Sequence, residues 1–108
     1  MKPIRSQKLR DSARGQACTF QIPGICSYDW STTVLCHLPD ESGGTGRKSD
    51  DLSSAYGDHA CHAAIDGRDA KAWATIYDER QWYMRRAMVR TWRRMIESGL
   101  ITIAGYKP

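Results

Sequence analysis

Val34-Leu35-Cys36-His37-Leu38 and Ala60-Cys61-His62-Ala63-Ala64-Ile65-Asp66 are the two stretches on which the reading of this 108-residue chain turns. The first continues from Thr32-Thr33, and its β-branched and aliphatic run predicts a short strand that Pro39 stops. The second predicts a helix. There His62 and Asp66, four residues apart, project from one face about a turn from each other. That spacing suits two ligands of one metal ion, and it leaves His37 as a histidine free to move a proton. Each has a plainer alternative: His37 as a packed structural residue, His62 and Asp66 as a hydrogen-bonded pair on a helix surface.

Working outward, a long polar loop from Asp40 to Ser54 separates the two stretches and carries Gly43, Gly44 and Gly46. Its Gly43-Gly44-Thr45-Gly46-Arg47-Lys48-Ser49 run fails the phosphate-loop pattern, because Arg47 stands where a glycine must precede the lysine. Its amides, with Arg47 and Lys48, can still meet a nucleic-acid phosphate. From Ala17 to about Leu38 the chain reads as two short strands, Thr32–His37 being the clearer, with turn signals at Pro23-Gly24 and Tyr28-Asp29. Residues 1–16 read as a basic arm, either partly disordered or forming a short turn of helix.

Beyond the second stretch Gly67 interrupts, and Asp69 reads as the N-cap of a long helix reaching Glu97 or Ser98, stopped by Gly99. Trp73, Tyr77, Met84, Met88, Trp92 and Met95 fall on one stripe of it, as a core face. Arg86, Arg90 and Arg93 lie opposite, where they either track a nucleic-acid backbone or form a solvated face. A break near Asp78-Glu79 is an alternative, and Leu100-Ile101-Thr102-Ile103 reads as a last short strand.

Four cysteines in a chain without an apolar leader are expected to be thiols or metal ligands rather than disulfides. Cys18, Cys26 and Cys61, with Asp58 three residues before Cys61, form a candidate structural zinc set, in which His59 or Cys36 can replace the aspartate. The alternative is four buried, reduced thiols. No run of about eighteen apolar residues exists, so no membrane span is expected, and a cytoplasmic location is the default. Net charge is +4 overall, divided as +4 over residues 1–16, −5 over 17–66 and +5 over 67–108. Basic ends around an acidic Cys/His centre suit a polyanion held near a bound cation.

At these residues the chain resembles the HNH (ββα-metal) endonucleases and, more closely, the small prophage-encoded YbcO nuclease family. The likeness runs from Cys18 to about Arg68. It implies a small α+β fold, with a ββα-metal core over 17–68 between the 1–16 arm and a 69–108 helical extension. It implies His37 as general base, and His62 and Asp66 as ligands of a catalytic divalent ion (Mg, Mn, Ni or Zn), with one structural zinc besides. The family's middle residue is usually Asn; this chain has no asparagine, and Asp51 is the nearest candidate. Cys36 stands where many members carry a metal ligand, and is an uncertain one. The activity implied is metal-dependent hydrolysis of DNA phosphodiesters in phage DNA recombination or processing, with RNA left open. The alternative is a non-catalytic, zinc-stabilised nucleic-acid-binding or recombination-accessory module.

Overall fold

A two-stranded antiparallel hairpin lies at the centre of this computed structural model, which describes residues 1–44 and 46–108. Strand β1 (Val34–His37) pairs with β2 (Ser54–Gly57) in the register Val34↔Gly57, Leu35↔Tyr56, Cys36↔Ala55 and His37↔Ser54. The expected strand over Thr32–His37 is thus present but shorter, because Trp30–Thr32 closes a 3₁₀ turn first. Its partner is not the second strand expected between Ala17 and Leu38. It is Ser54-Ala55-Tyr56-Gly57, a buried stretch with no β-branched residue to announce it.

The Ala17–Phe20 segment instead seals the outer edge of β2. Thr19 donates its N–H and its hydroxyl to the Tyr56 carbonyl, both at 2.8 Å, and Thr91 Oγ1 accepts the Tyr56 N–H at 3.0 Å. A strand edge left with unpaired backbone groups is an aggregation hazard and, once buried, a desolvation cost; these bonds remove both.

Among the described residues four helices surround the hairpin: α1 (Gln7–Ser12), α2 (His59–Asp66), α3 (Ala70–Ile76) and α4 (Arg80–Glu97). The alternation of side chains along β1 divides the packing between its two faces. Cys36 and Ala55 join Cys61, Ala64 and Ile65 of α2, together with Phe20, Ile22, Met84 and Ala87. Leu35 and Tyr56 join Leu9 and Ala13 of the N-terminal segment and Met95 of α4. The N-terminal arm is therefore helical and docked through Leu9. His37, two residues after Leu35, shares the α1 side of the strand.

Asp58 caps α2, its Oδ1 accepting the Cys61 N–H at 2.9 Å, and Gly67 ends the helix at φ +85°. Asp69 caps α3 as expected. The single long helix expected after it is split by a 3₁₀ turn at Tyr77–Glu79. Tyr77 is 63 % exposed and drops out of the core stripe, while Met84 and Met95 are buried. Gly99, at φ +81°, turns the chain so that the Leu100 and Ile101 N–H groups both donate to the Met95 carbonyl. That bonding replaces the last strand expected at Leu100–Ile103. No helix is long and apolar enough to cross a membrane among the described residues.

Candidate functional site

Two groups of chemistry-bearing side chains form at opposite faces of the hairpin. On the α2 side, the ligand atoms of Cys18, Cys26, Asp58 and Cys61 all lie within 4.8 Å of one another. Zn–S bonds of about 2.3 Å in a tetrahedron put sulfurs roughly 3.8 Å apart, so little movement would close this group on one ion. Three sulfurs and one oxygen favour zinc over magnesium. The Asp58 carboxylate is held as metal-bound carboxylates are, by outer hydrogen bonds. Its Oδ2 accepts from the Ser27 N–H at 2.8 Å, the Ser27 hydroxyl at 2.7 Å, the Tyr28 N–H at 3.1 Å and the Cys26 thiol at 3.2 Å. Burial pushes the Asp58 pKa up, but the Cys61 N–H and the Ser27 and Cys26 donors outweigh it and hold the group at about 2. A hydrogen bond from Cys61 pulls the Cys18 thiol down to about 6 against its burial, and that same bond pushes Cys61 up. Burial takes Cys26 up to about 12. A cation bound here would therefore displace protons from Cys26 and Cys61.

The two substitutes considered for the fourth ligand lie elsewhere. His59 is exposed, with Nδ1 3.2 Å from the Thr32 hydroxyl. Cys36 is buried against Gly57, and burial raises its pKa.

On the α1 side, His37 Nε2 lies 2.8 Å from Asp51 Oδ1. The Asp51 side chain is only 1 % exposed and that of His37 13 %. Asp51 also receives Arg10 Nη1 at 2.5 Å and the Ser6 N–H at 2.6 Å, with Arg5 Nη1 at 3.5 Å. Burial pushes the Asp51 pKa up, but the bonds from His37, Ser6 and Arg10 prevail and hold it below the usual carboxylate range. An ionised carboxylate only accepts, so this bond assigns a proton to His37 Nε2; in the neutral ring Nδ1 is then the lone-pair nitrogen, and it has no hydrogen-bond partner among the described residues. The pair opens into a cleft of about 410 Å³ lined also by Arg5, Arg10, Gly46, Arg47 and Lys48.

His62 and Asp66 lie on α2 as the spacing predicts, His62 Nε2 3.6 Å from Asp66 Oδ2, and both are about one-third exposed. Arg68 Nε also binds Asp66 Oδ2, at 2.7 Å. Burial lowers the His62 pKa; Asp66 opposes this, while Arg68, Lys48 and His37 add to it.

The arginine face of α4 carries Arg86, Arg90 and Arg93. Arg86 donates to the Phe20 carbonyl at 2.7 Å and Arg90 to the Thr19 carbonyl at 3.1 Å, which makes them staples of the edge segment. Arg93 alone of the three is exposed. Arg5, Ser6 and Arg10 were not singled out by sequence, since nothing local marks a partner 41 residues from Arg10.

A family model whose description reads "Putative nuclease YbcO" matches residues 7–100. The chain belongs to the YbcO family. "Putative nuclease YbcO" of Escherichia coli (strain K12) and "Putative nuclease ybcO" of Enterobacteria phage 82 are each 43% identical to it over 61 residues, 56% of this chain. The chain spans 64% of the length of these curated YbcO relatives. A solved structure, that of a putative bacteriophage protein from Escherichia coli str. K-12 substr. MG1655, is similar at TM-score 0.62 and 30% identity. The match covers 85% of this chain and 100% of that one. The YbcO span contains the Cys/Asp group, His37, Asp51, His62 and Asp66, while Arg5 and Ser6 precede it.

Proposed function

We propose that this chain is a metal-dependent endonuclease of the HNH (ββα-metal) type that hydrolyses DNA phosphodiester bonds, in phage DNA processing or recombination. The observation that carries this reading is the His37–Asp51 pair, with Nε2 anchored on the carboxylate and Nδ1 without a partner among the described residues, set in a cleft with Arg47 and Lys48. The YbcO family description and the relative from Enterobacteria phage 82 support a nuclease in a phage setting. The functional core is proposed to span 17–68, with both flanks packed on it, and the cytoplasm is its proposed location.

His37 Nδ1 takes a proton from the water that attacks phosphorus. Asp51 keeps the ring oriented and stabilises the imidazolium that forms. Arg47 and Lys48 hold the phosphodiester backbone without reading sequence, and Arg93, exposed on α4, is a further proposed backbone contact. His62 and Asp66 are the proposed ligands of the catalytic divalent ion. Their N and O donors, 3.6 Å apart and partly exposed, fit one cation with positions left over for phosphate and water. When bound, that ion supplies Lewis-acid stabilisation of charge on the phosphoryl and leaving oxygens. The Cys18, Cys26, Asp58 and Cys61 group is the proposed structural zinc site, tying the start of α2 to the 18–28 segment.

Incubation with supercoiled plasmid and Mg²⁺, Mn²⁺, Ni²⁺ or Zn²⁺, beside an EDTA control and a matched RNA substrate, tests the reading. Metal-dependent nicking of DNA is expected. Folded protein that binds DNA and cleaves neither nucleic acid with any of the metals would favour a non-catalytic binding module.

A further inference from the structure

We propose that the N-terminal segment Ile4–Arg10 is a positioning element for the general base, with Arg10 as its positioning residue. The proposal rests on His37 serving as that base. The segment is stitched to the residues that carry Asp51. Ile4 N–H donates to Asp50 Oδ1 at 2.7 Å, and the Asp51 N–H returns to the Ile4 carbonyl at 2.9 Å. Ser6 and Arg10 then close on Asp51 Oδ2, at 2.6 and 2.5 Å. Oδ1 takes the His37 bond at 2.8 Å, with Arg5 Nη1 3.5 Å from it.

A charged carboxylate this deeply buried needs a counter-charge, and Arg10 supplies the closest one. Without it, Asp51 either takes up a proton or turns toward water. Both outcomes remove the fixed acceptor that selects the His37 tautomer.

The arginines of the cleft divide their work by where their donors go. Arg10 gives Nη1 to Asp51 and Nη2 to Gln7 Oε1 at 2.8 Å, so its fork is occupied within the protein. Arg5 gives Nη1 to the Ser49 carbonyl at 2.5 Å and Nη2 to the Lys48 carbonyl at 2.7 Å, which fixes the loop that presents Lys48. Arg10 therefore acts through Asp51 rather than on substrate. Arg5 and Ser6 lie ahead of the residues matched by the family model, so the device extends beyond the family-matched span.

The test uses the full chain with ¹⁵N-labelled histidine, and His37→Ala identifies the His37 signals. Long-range ¹H–¹⁵N spectra should show His37 as a single Nε2–H tautomer in the native protein, and as a mixture in Arg10→Gln. In the plasmid assay Arg10→Gln should lower kcat roughly 10- to 100-fold, with KM changed less than about twofold. Arg10→Lys, which keeps the charge without the fork, should recover part of both; if Arg10→Gln does not fold, Arg10→Lys against the native protein decides. An unchanged His37 tautomer in a folded variant overturns the proposal, as does a rise in KM at constant kcat, which would make Arg10 a substrate ligand. The spectra need no cleavage, so a failed nuclease reading and a failed positioning role give different results.

Discussion

Gly57 and Cys36 approach so closely across the hairpin that a Cβ on Gly57 would lie 2.6 Å from the Cys36 sulfur. It would also lie 2.8 Å from Cε2 of Phe20. The end of β2, the residue before Asp58, is thereby pressed onto the core that separates the two sites. Gly57→Ala should destabilise the fold by about 1–3 kcal/mol through overpacking. Urea unfolding should show a lower midpoint at unchanged slope. Adding Cys36→Ala should return part of the loss, since the two sites share one contact.

The Cys18, Cys26, Asp58 and Cys61 group should hold one zinc per chain, measured by elemental analysis of the purified protein. Cys61→Ser should lose the metal and much of the stability. Chelation of the native protein should lower Tm by about 4–8 °C for each kcal/mol that the ion contributes. A native protein free of metal, with a Tm indifferent to chelator, would assign the group to hydrogen-bonded thiols instead.

The arginines should separate into two classes. Arg86→Ala and Arg90→Ala each remove a donor from a carbonyl on the edge segment, and should cost about 1–2 kcal/mol of stability. They should leave the salt dependence of DNA binding unchanged. Arg47→Ala and Lys48→Ala should leave stability nearly constant, and each should reduce the slope of log K against log salt by about 0.9. Urea unfolding measures the stability and fluorescence anisotropy over a salt series the slope.

Asp51 predicts a specific acid limb. Its folded-state pKa is held below the unfolded carboxylate value, with burial outweighed by His37, Ser6 and Arg10. Below about pH 4 the unfolded chain binds that proton more readily than the folded one, so stability falls as pH falls through the folded-state value and is complete above the unfolded one. Asp51→Asn should be less stable at neutral pH and show a shallower loss on acidification, by thermal melts on both sides of the ordinary aspartate pKa of roughly 3.9.

What the sequence discloses follows the range of each interaction. The β1 strand is readable because Thr32, Thr33 and Val34 are β-branched, and α2 because its caps, Asp58 and Gly67, are local. The Cys/Asp group is readable from residue type, and these four ligand atoms do meet. Strand β2 is not readable: Ser54-Ala55-Tyr56-Gly57 owes its form to burial beneath α4 and beside Thr19. The break at Tyr77–Glu79 stands only as an alternative in the sequence, because the helical spacing of the apolar stripe runs on through it. The roles of Arg10, Arg86 and Arg90 were hidden for one reason. Their partners are an aspartate and two backbone carbonyls far away in the chain, and a carbonyl leaves no mark on a side-chain pattern.

The most direct test of the central claim compares native protein with His37→Ala in metal-dependent plasmid nicking, at equal DNA occupancy. A general base contributes roughly 10²- to 10⁴-fold, so the variant should bind DNA normally and nick it slower by about that factor. Nicking by a folded His37→Ala protein at the native rate would contradict the account.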